Sequence, residues 1–230
     1  ALIIGAGDIG VCICNYLSNV SPNLDVRLCG RNLPSQGGIH LDIENDDSFV
    51  SFENEISMFK KPLRLVLNTT GFLHSNLFKP EKRLSHINRS CIIKNFSVNA
   101  IAPILIAKSI EKFINPKLPF SFASLSARVG SIGDNRLGGW YSYRASKAAQ
   151  NQFLKTLSIE WRRKLPLSIV SILHPGTCDT KLSKPFQAGV PKDKLFTPVQ
   201  SSEYLINILS DQKPSDSGNF LAWDSSLIPW

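Results

Sequence analysis

Tyr143-Arg144-Ala145-Ser146-Lys147 sets a phenol and an ammonium four residues apart, with small residues between and after them. On a helix the two share one face. A phenol is a weak acid near neutral pH, and a cation held beside it favours the phenolate. Such a pair can pass a proton to or from a carbonyl or alcohol oxygen. In isolation the same spacing also describes a surface pair on an amphipathic helix, so the residues elsewhere in the chain decide between the two.

Those residues begin at the N-terminus. Ala1-Leu2-Ile3-Ile4 reads as a buried strand and runs into Gly5-Ala6-Gly7-Asp8-Ile9-Gly10, ahead of a helical pattern from Val11 to Leu17. A G-x-G-x-x-G between a strand and a helix is the context that a dinucleotide fingerprint requires. Its glycines allow a tight turn and let a pyrophosphate approach backbone N–H groups at the helix start. A second strand, Asp25-Val26-Arg27-Leu28-Cys29, ends at Gly30-Arg31-Asn32. An acid at that end would hold a ribose 2′-hydroxyl, whereas an arginine suits a 2′-phosphate. Asp25 opens the strand, too early for the first role, so Arg31 favours NADP(H) over NAD(H). A solvated surface arginine is the plainer reading of the same residue.

The elements that must position these groups alternate. Arg64-Leu65-Val66-Leu67-Asn68 is an apolar run ending at Thr69-Thr70-Gly71, and Ile92 to Phe113 is a long helical stretch. Pro119 to Ala123 is a strand entering a serine-rich turn. Tyr143 to Arg163 is helical, with Ala145, Ala149, Phe153, Leu157 and Trp161 at helical spacing. Leu167 to Leu173 is a strand that stops at His174-Pro175-Gly176. This alternation predicts an α/β domain of Rossmann type: a doubly wound parallel sheet flanked by helices on both faces, one domain over residues 1–230.

Composition agrees. With 230 residues, 43% of them hydrophobic, the chain can bury a full core. No unbroken run of about 18 apolar residues is present, so no membrane span is expected. Five cysteines, Cys12, Cys14, Cys29, Cys91 and Cys178, contain no C-x-x-C and fit reduced thiols in a cytoplasmic protein. His40, His74, His86 and His174 are too scattered to suggest metal ligation, and no metal is expected. The formal charge of +8 gathers lysines and arginines in the first half, Lys60, Lys61, Arg64, Lys79, Lys82, Arg83, Arg89 and Lys94 among them. No aromatic-interleaved basic motif, helix-turn-helix or finger spacing accompanies them, so nucleic acid is not the expected partner. The sequence opens inside a strand, so residues preceding Ala1 are expected, and nothing in it suggests a targeting segment.

With these residues assembled, the chain resembles the short-chain dehydrogenase/reductase family over essentially its whole length. The motifs that carry the resemblance are the glycine turn, Asp42 after the third strand, Asn68-Thr69-Thr70-Gly71 in the place of N-N-A-G, Asn99, a serine upstream of Tyr143 and Lys147, and Pro175-Gly176-Thr177 with Thr180. The stretch Ser126 to Ile132, the lead-in Asp134 to Trp140 and the ending Ile228-Pro229-Trp230 are similar to the C-factor and carbonyl-reductase-like branch.

The resemblance implies a tetrad. Tyr143 would be the general acid/base, and Lys147 would lower its pKa and bind the nicotinamide ribose. Ser126 would fix the substrate oxygen, and Asn99 would hold a water in the proton relay. It also implies that Gly5, Gly7, Asp8, Ile9, Gly10, Arg31, Asp42, Ile43, Asn68, Thr69, Gly71, Pro175, Gly176, Thr177 and Thr180 bind the cofactor, with Asp42 and Asn68 at the adenine side. A small carbonyl or alcohol would be the substrate, and pairing of the two long helices would make a homodimer or a homotetramer. Three departures stand out. The glycine turn is one residue shorter than the family's G-x-x-x-G-x-G, Thr70 replaces a small alanine, and 17 positions separate Ser126 from Tyr143. Ser124 competes with Ser126 for the serine's role. The same residues also suit a cofactor-binding signalling protein with little turnover, although a pure binder has no use for a proton relay.

Overall fold

The structure, a computed structural model, describes residues 1–33 and 37–230. Its main sheet has seven parallel strands: β1 (Leu2–Ile4), β2 (Arg27–Gly30), β3 (Ile39–His40), β4 (Leu65–Asn68), β5 (Phe120–Leu125), β6 (Ser168–His174) and β9 (Phe220–Ala222), in the order β3-β2-β1-β4-β5-β6-β9. The order reverses direction between β1 and β4, which opens a crevice at the carboxyl ends of the strands. Successive side chains of β1 go to opposite faces. Leu2 and Ile4 enter the core that contains Phe49, Phe52, Ile106, Phe122 and Trp161, whereas Ile3 enters the core that contains Ile13, Leu17, Leu173 and Leu205.

Helices α1 (Asp8–Val20) and α6 (Pro198–Asp211) cover the second of these faces, and α2 (Asp46–Ser57), α3 (Arg89–Phe96), α4 (Ala102–Glu111) and α5 (Tyr141–Lys164) cover the first. Two short strands, β7 (Thr177–Cys178) and β8 (Leu195–Phe196), pair with each other and clamp the base of the excursion between them.

The long helix expected from Ile92 to Phe113 begins at Arg89 and is interrupted by a π-turn over Ser97–Ile101 before α4 continues it. The stretch Arg89–Glu111 contains an 18-residue part apolar enough by composition to cross a membrane, with a mean hydropathy of 1.5, and half of that part is buried inside this fold. Counting only unbroken apolar runs passes over it.

In α5 the four-residue spacing of Ala145, Ala149, Phe153, Leu157 and Trp161 does not stay on one face. Four residues turn through about 400°, so the stripe drifts by about 40° at each step. Leu157 and Trp161 are buried, and Ala145 and Phe153 are exposed. The side of α5 turned inward near its start is polar instead: Ser142, Ser146, Lys147, Gln150 and Asn151.

Candidate active site

The phosphate side of the crevice is built by backbone. Gly5 has φ of +110°, and a Cβ on Gly10 would lie 1.9 Å from the Gly5 carbonyl oxygen, so neither position tolerates a side chain without moving the turn. Gly7 has open space around it. It caps α1 with no side chain bonded to the helix start, which leaves first-turn N–H groups available to an anion. That geometry fits a pyrophosphate, and the turn reaches it with the spacing G-x-G-x-x-G. Thr69 locks the turn to β4: its hydroxyl donates to the carbonyls of Ile4 and Gly5 at 3.0 and 3.1 Å.

One cleft of about 490 Å³ joins this turn to the phenol and the ammonium. Of the sequence-identified residues, Gly5, Gly7, Asp8, Ile9, Gly10, Arg31, Ile43, Thr69, Gly71, Ser126, Tyr143, Lys147, Pro175 and Thr180 line it. Five do not. Asn68 is fully buried beneath the floor, because the last residue of β4 points into the sheet rather than out of it. Asp42 turns its carboxylate to the Glu44 N–H at 3.1 Å. Gly176, at φ of +77°, packs against Phe196 and Trp223, and Thr177 belongs to β7 behind it. Asn99 lies within the π-turn, and its side chain is used up by protein groups. Nδ2 donates to the Phe72 carbonyl at 2.8 Å and to Ser146 Oγ at 3.0 Å, and Oδ1 accepts from the Phe72 N–H at 2.8 Å. It pins α5 to the loop after β4. A π-turn shifts the backbone bonding by one residue, a distortion common at functional sites.

Ser124 and Ser126, two residues apart, point to the same face of β5, and Ser126 stands one residue beyond the end of the strand. Ser124 is fully buried and accepts hydrogen bonds from Asn68 Nδ2 at 2.9 Å and Gln150 Nε2 at 2.8 Å. Ser126 faces the cleft, with its hydroxyl donating to Asn151 Oδ1 at 2.6 Å. The long gap from Ser126 to Tyr143 is taken up by a loop ending in three consecutive left-handed residues, Gly138, Gly139 and Trp140.

Tyr143 and Lys147 lie one turn apart on α5, both almost fully buried, with Lys147 Nζ 6.0 Å from the centre of the phenol ring. Burial, which disfavours charge, pushes the phenol well above its ordinary range and pulls the ammonium down to about 7. Burial thus moves the Tyr143 pKa in the direction opposite to the effect expected of Lys147. The ammonium donates instead to the Leu125 carbonyl and to Gln150 Oε1, each at 2.9 Å.

Sequence reasoning missed Gln150 and Glu81. Gln150 was legible as a polar residue three positions after Lys147, within helical reach of it. Glu81 was not, because it acts across 61 residues: its buried carboxylate accepts from the Ser142 N–H at 3.2 Å and from the Ser142 hydroxyl, and so caps α5. Phe72, Lys94, Val98, Lys181 and Leu182 also join the cleft wall.

The excursion between β7 and β8 crosses the cleft. Asp8 accepts from the Lys181 N–H at 3.2 Å on one side, and His74 Nε2 meets the Leu182 carbonyl at 3.1 Å on the other. Phe186 packs edge-on against Trp140 at 4.9 Å and against His74 at 5.5 Å, and Trp140 in turn meets Tyr143 at 6.1 Å.

No family model matches the chain. Among curated proteins it is 31% identical over 141 residues to 1-hydroxy-2-glutathionyl-2-methyl-3-butene dehydrogenase of Rhodococcus sp. strain AD45, a match covering 60% of this chain and 58% of that protein. It is 26% identical over 148 residues to C-signal of Myxococcus xanthus, covering 64% of this chain and 83% of that protein. Among solved structures it superimposes on the NADPH-bound carbonyl reductase from chicken fatty liver with a TM-score of 0.85 at 22% identity, covering 100% of this chain and 98% of that one. Carbonyl reductase Sniffer of D. melanogaster gives a TM-score of 0.85 at 20% identity, with the same coverage. At these identities the structural likeness is one of fold.

Proposed function

We propose, from the premise that the chain has the fold and motifs of a short-chain dehydrogenase/reductase of the carbonyl-reductase-like kind, that it is an NADP(H)-dependent oxidoreductase acting on a small carbonyl or alcohol. The observation that carries this reading is a single cleft shared by an uncapped glycine turn and a buried Tyr143–Lys147 pair. A binding module would need the first but not the second. When bound, the nicotinamide supplies or takes up the hydride.

The chain's own residues do the rest. The α1 N-terminus and Thr180 hold the pyrophosphate, and Arg31 takes the 2′-phosphate, consistent with the NADPH in the chicken reductase. Tyr143, kept protonated by burial, donates its proton to the carbonyl oxygen as negative charge develops there. Ser126, its hydroxyl turned from Asn151 Oδ1 into the cleft, donates a second hydrogen bond to the same oxygen. Lys147 stabilises the phenolate that remains. Asn99 contributes by pinning α5 to the loop after β4.

The test is NADPH oxidation against a panel of small carbonyls. Wild type is expected to turn over with a clear preference for NADPH over NADH, through charge-assisted hydrogen bonds worth about 1.5–3 kcal/mol, and Arg31→Ala to lose that preference. Tyr143→Phe is expected to keep the fold and cofactor affinity while losing about 10²–10⁴ in turnover. Equal turnover in Tyr143→Phe would overturn the assignment. The likeness to C-signal favours a second reading, a dinucleotide-bound signalling protein, and cofactor binding without turnover on any carbonyl would select it.

We also propose a homodimer through α3, α4 and α5. On these helices Ala100, Ala107, Ile110 and Leu157 are buried within the subunit, and Ile93, Ile101, Ala145, Phe153 and Ile159 are exposed. Light scattering at micromolar concentration should give twice the monomer mass, and Phe153→Glu with Ile101→Glu should halve it; a monomer throughout refutes the pairing.

A further inference from the structure

Beneath the cleft runs a chain of buried polar groups that the catalytic roles above do not use. Thr70, on the cleft wall, gives its N–H and its hydroxyl to Asn68 Oδ1 at 3.2 and 2.8 Å. Asn68 Nδ2 donates to Ser124 Oγ at 2.9 Å, which also receives Gln150 Nε2 at 2.8 Å. Gln150 Nε2 reaches the Leu125 carbonyl as well, at 3.1 Å, and Gln150 Oε1 accepts from Lys147 Nζ. Asn68, Ser124 and Gln150 are wholly excluded from solvent. A glutamine in such a place loses its hydration, so it is held there by the bonds it makes. Its two ends are oriented by different partners: the amide nitrogen is committed to β5, which turns the oxygen toward the ammonium.

We propose that Gln150 is the positioning residue of Lys147, fixing the ammonium between its own amide oxygen and the Leu125 carbonyl so that the remaining N–H faces the cleft and Tyr143. The inference rests on the reading of Lys147 as part of the catalytic pair, and adds to it the group that aims the side chain. A lysine carries four rotatable bonds and does not hold one position unaided. The choice of a neutral acceptor matters too. The only titratable group on α5 within reach is Tyr143. Arg128, on the turn that packs against the Lys147 stem, is directed to Asp134 at 3.2 Å, and the ends of β4 and β5 bring only Asn68, Ser124 and the Leu125 carbonyl. His174, which ends β6, lies in the field of Arg128 and Asp224. Among the described residues no carboxylate stabilises the buried ammonium, so an acceptor with charge at position 150 would change its titration directly.

The experiment follows the Lys147 side chain by NMR of protein carrying 13C-labelled lysine, assigned by loss of the signal in Lys147→Met, in wild type, Gln150→Glu and Gln150→Leu. Gln150→Glu, nearly the same shape, is expected to raise the Lys147 midpoint by about one pH unit or more, and Gln150→Leu to lower it. Wherever turnover is measurable, the alkaline limb of kcat/KM should move in the same two directions. Gln150→Leu should also reduce kcat by about tenfold, the loss of one hydrogen bond to a charged group, with the carbonyl KM little changed. A Gln150 that only fills space would leave both midpoints where wild type has them, and that result overturns the proposal. Should Gln150→Leu not fold, an unmoved midpoint in Gln150→Glu alone overturns it. Moved midpoints without turnover on any carbonyl would uphold the positioning and reject the oxidoreductase reading.

Discussion

The floor and the roof of the cleft are held by different physics. The floor is a set of strand ends and the inward side of α5, in which Thr70, Asn68, Ser124, Gln150 and Lys147 are joined by hydrogen bonds of 3.2 Å or less, the last four of them shielded from water. The roof, residues 179–194, is half exposed. It is tied across the cleft by one bond to Asp8, one to His74 and the edge contacts of Phe186, besides its own short helical turns. A buried hydrogen bond that loses a partner leaves an unsatisfied group, whereas a surface contact that breaks is replaced by water. The floor is therefore costly to disturb and the roof cheap to open, as a site that must admit a ligand without losing its shape requires.

The sharpest way to break this contrast is Asn68→Ala. It strands the Thr70 N–H and hydroxyl and removes a donor from Ser124, and should cost about 2–4 kcal/mol of stability in urea denaturation. A loss below about 1 kcal/mol would mean that the floor is as yielding as the roof.

Next in size is the charge buried in the floor. The folded Lys147 pKa, about 7, lies below that of the unfolded chain, so between these values the folded state binds fewer protons and stability rises with pH. At about 1.36 kcal/mol per unit, wild type should gain about 2 kcal/mol on Lys147→Met between pH 7 and 9, below the range where Tyr143 ionises. A wild-type-minus-variant difference that is flat with pH would show that the ammonium is not desolvated in solution.

The smallest change in stability belongs to the roof. Phe186→Ala removes the contacts to Trp140 and His74, and should change the stability by less than about 1 kcal/mol while raising the rate of tryptic cleavage at Lys181, Lys192 and Lys194 several-fold. Unchanged cleavage would show that the excursion is anchored elsewhere.

The same contrast separates what was legible in the sequence from what was not. Strand, glycine turn and helix follow one another at the N-terminus, so the α1 start could be read from local spacing alone, and so could the Tyr143–Lys147 pair on one helix. The choice of Ser126 over Ser124 follows from where the strand stops: β5 runs through Leu125, so Ser124 is enclosed within the sheet and Ser126 stands at its open end. Asn68 was read toward the adenine because motif resemblance names a residue without its direction; the pleat sends it down into the floor. Asn99 was read as a water ligand for the same reason, and the π-turn that reorients it leaves no mark in composition. The Lys147 effect on Tyr143 was argued from pairwise charge, which omits the desolvation that only burial reveals. Glu81 and Phe186 act on the site from distant segments, and no spacing rule connects them to it.

Glu81 has a meaning for how the molecule comes together. A helix usually begins where a neighbouring residue satisfies its free N–H groups, so that its start is decided within a few residues. Here the residue before α5 is Trp140, left-handed and without a capping side chain, and the negative charge at the start of α5 arrives from a loop that leaves β4. The first turn of α5, which carries Tyr143, is thus completed only after β4 and its loop have docked. Chemistry at this site therefore depends on two distant segments at once: the turn that presents the proton donor is completed by a carboxylate 61 residues earlier in the chain.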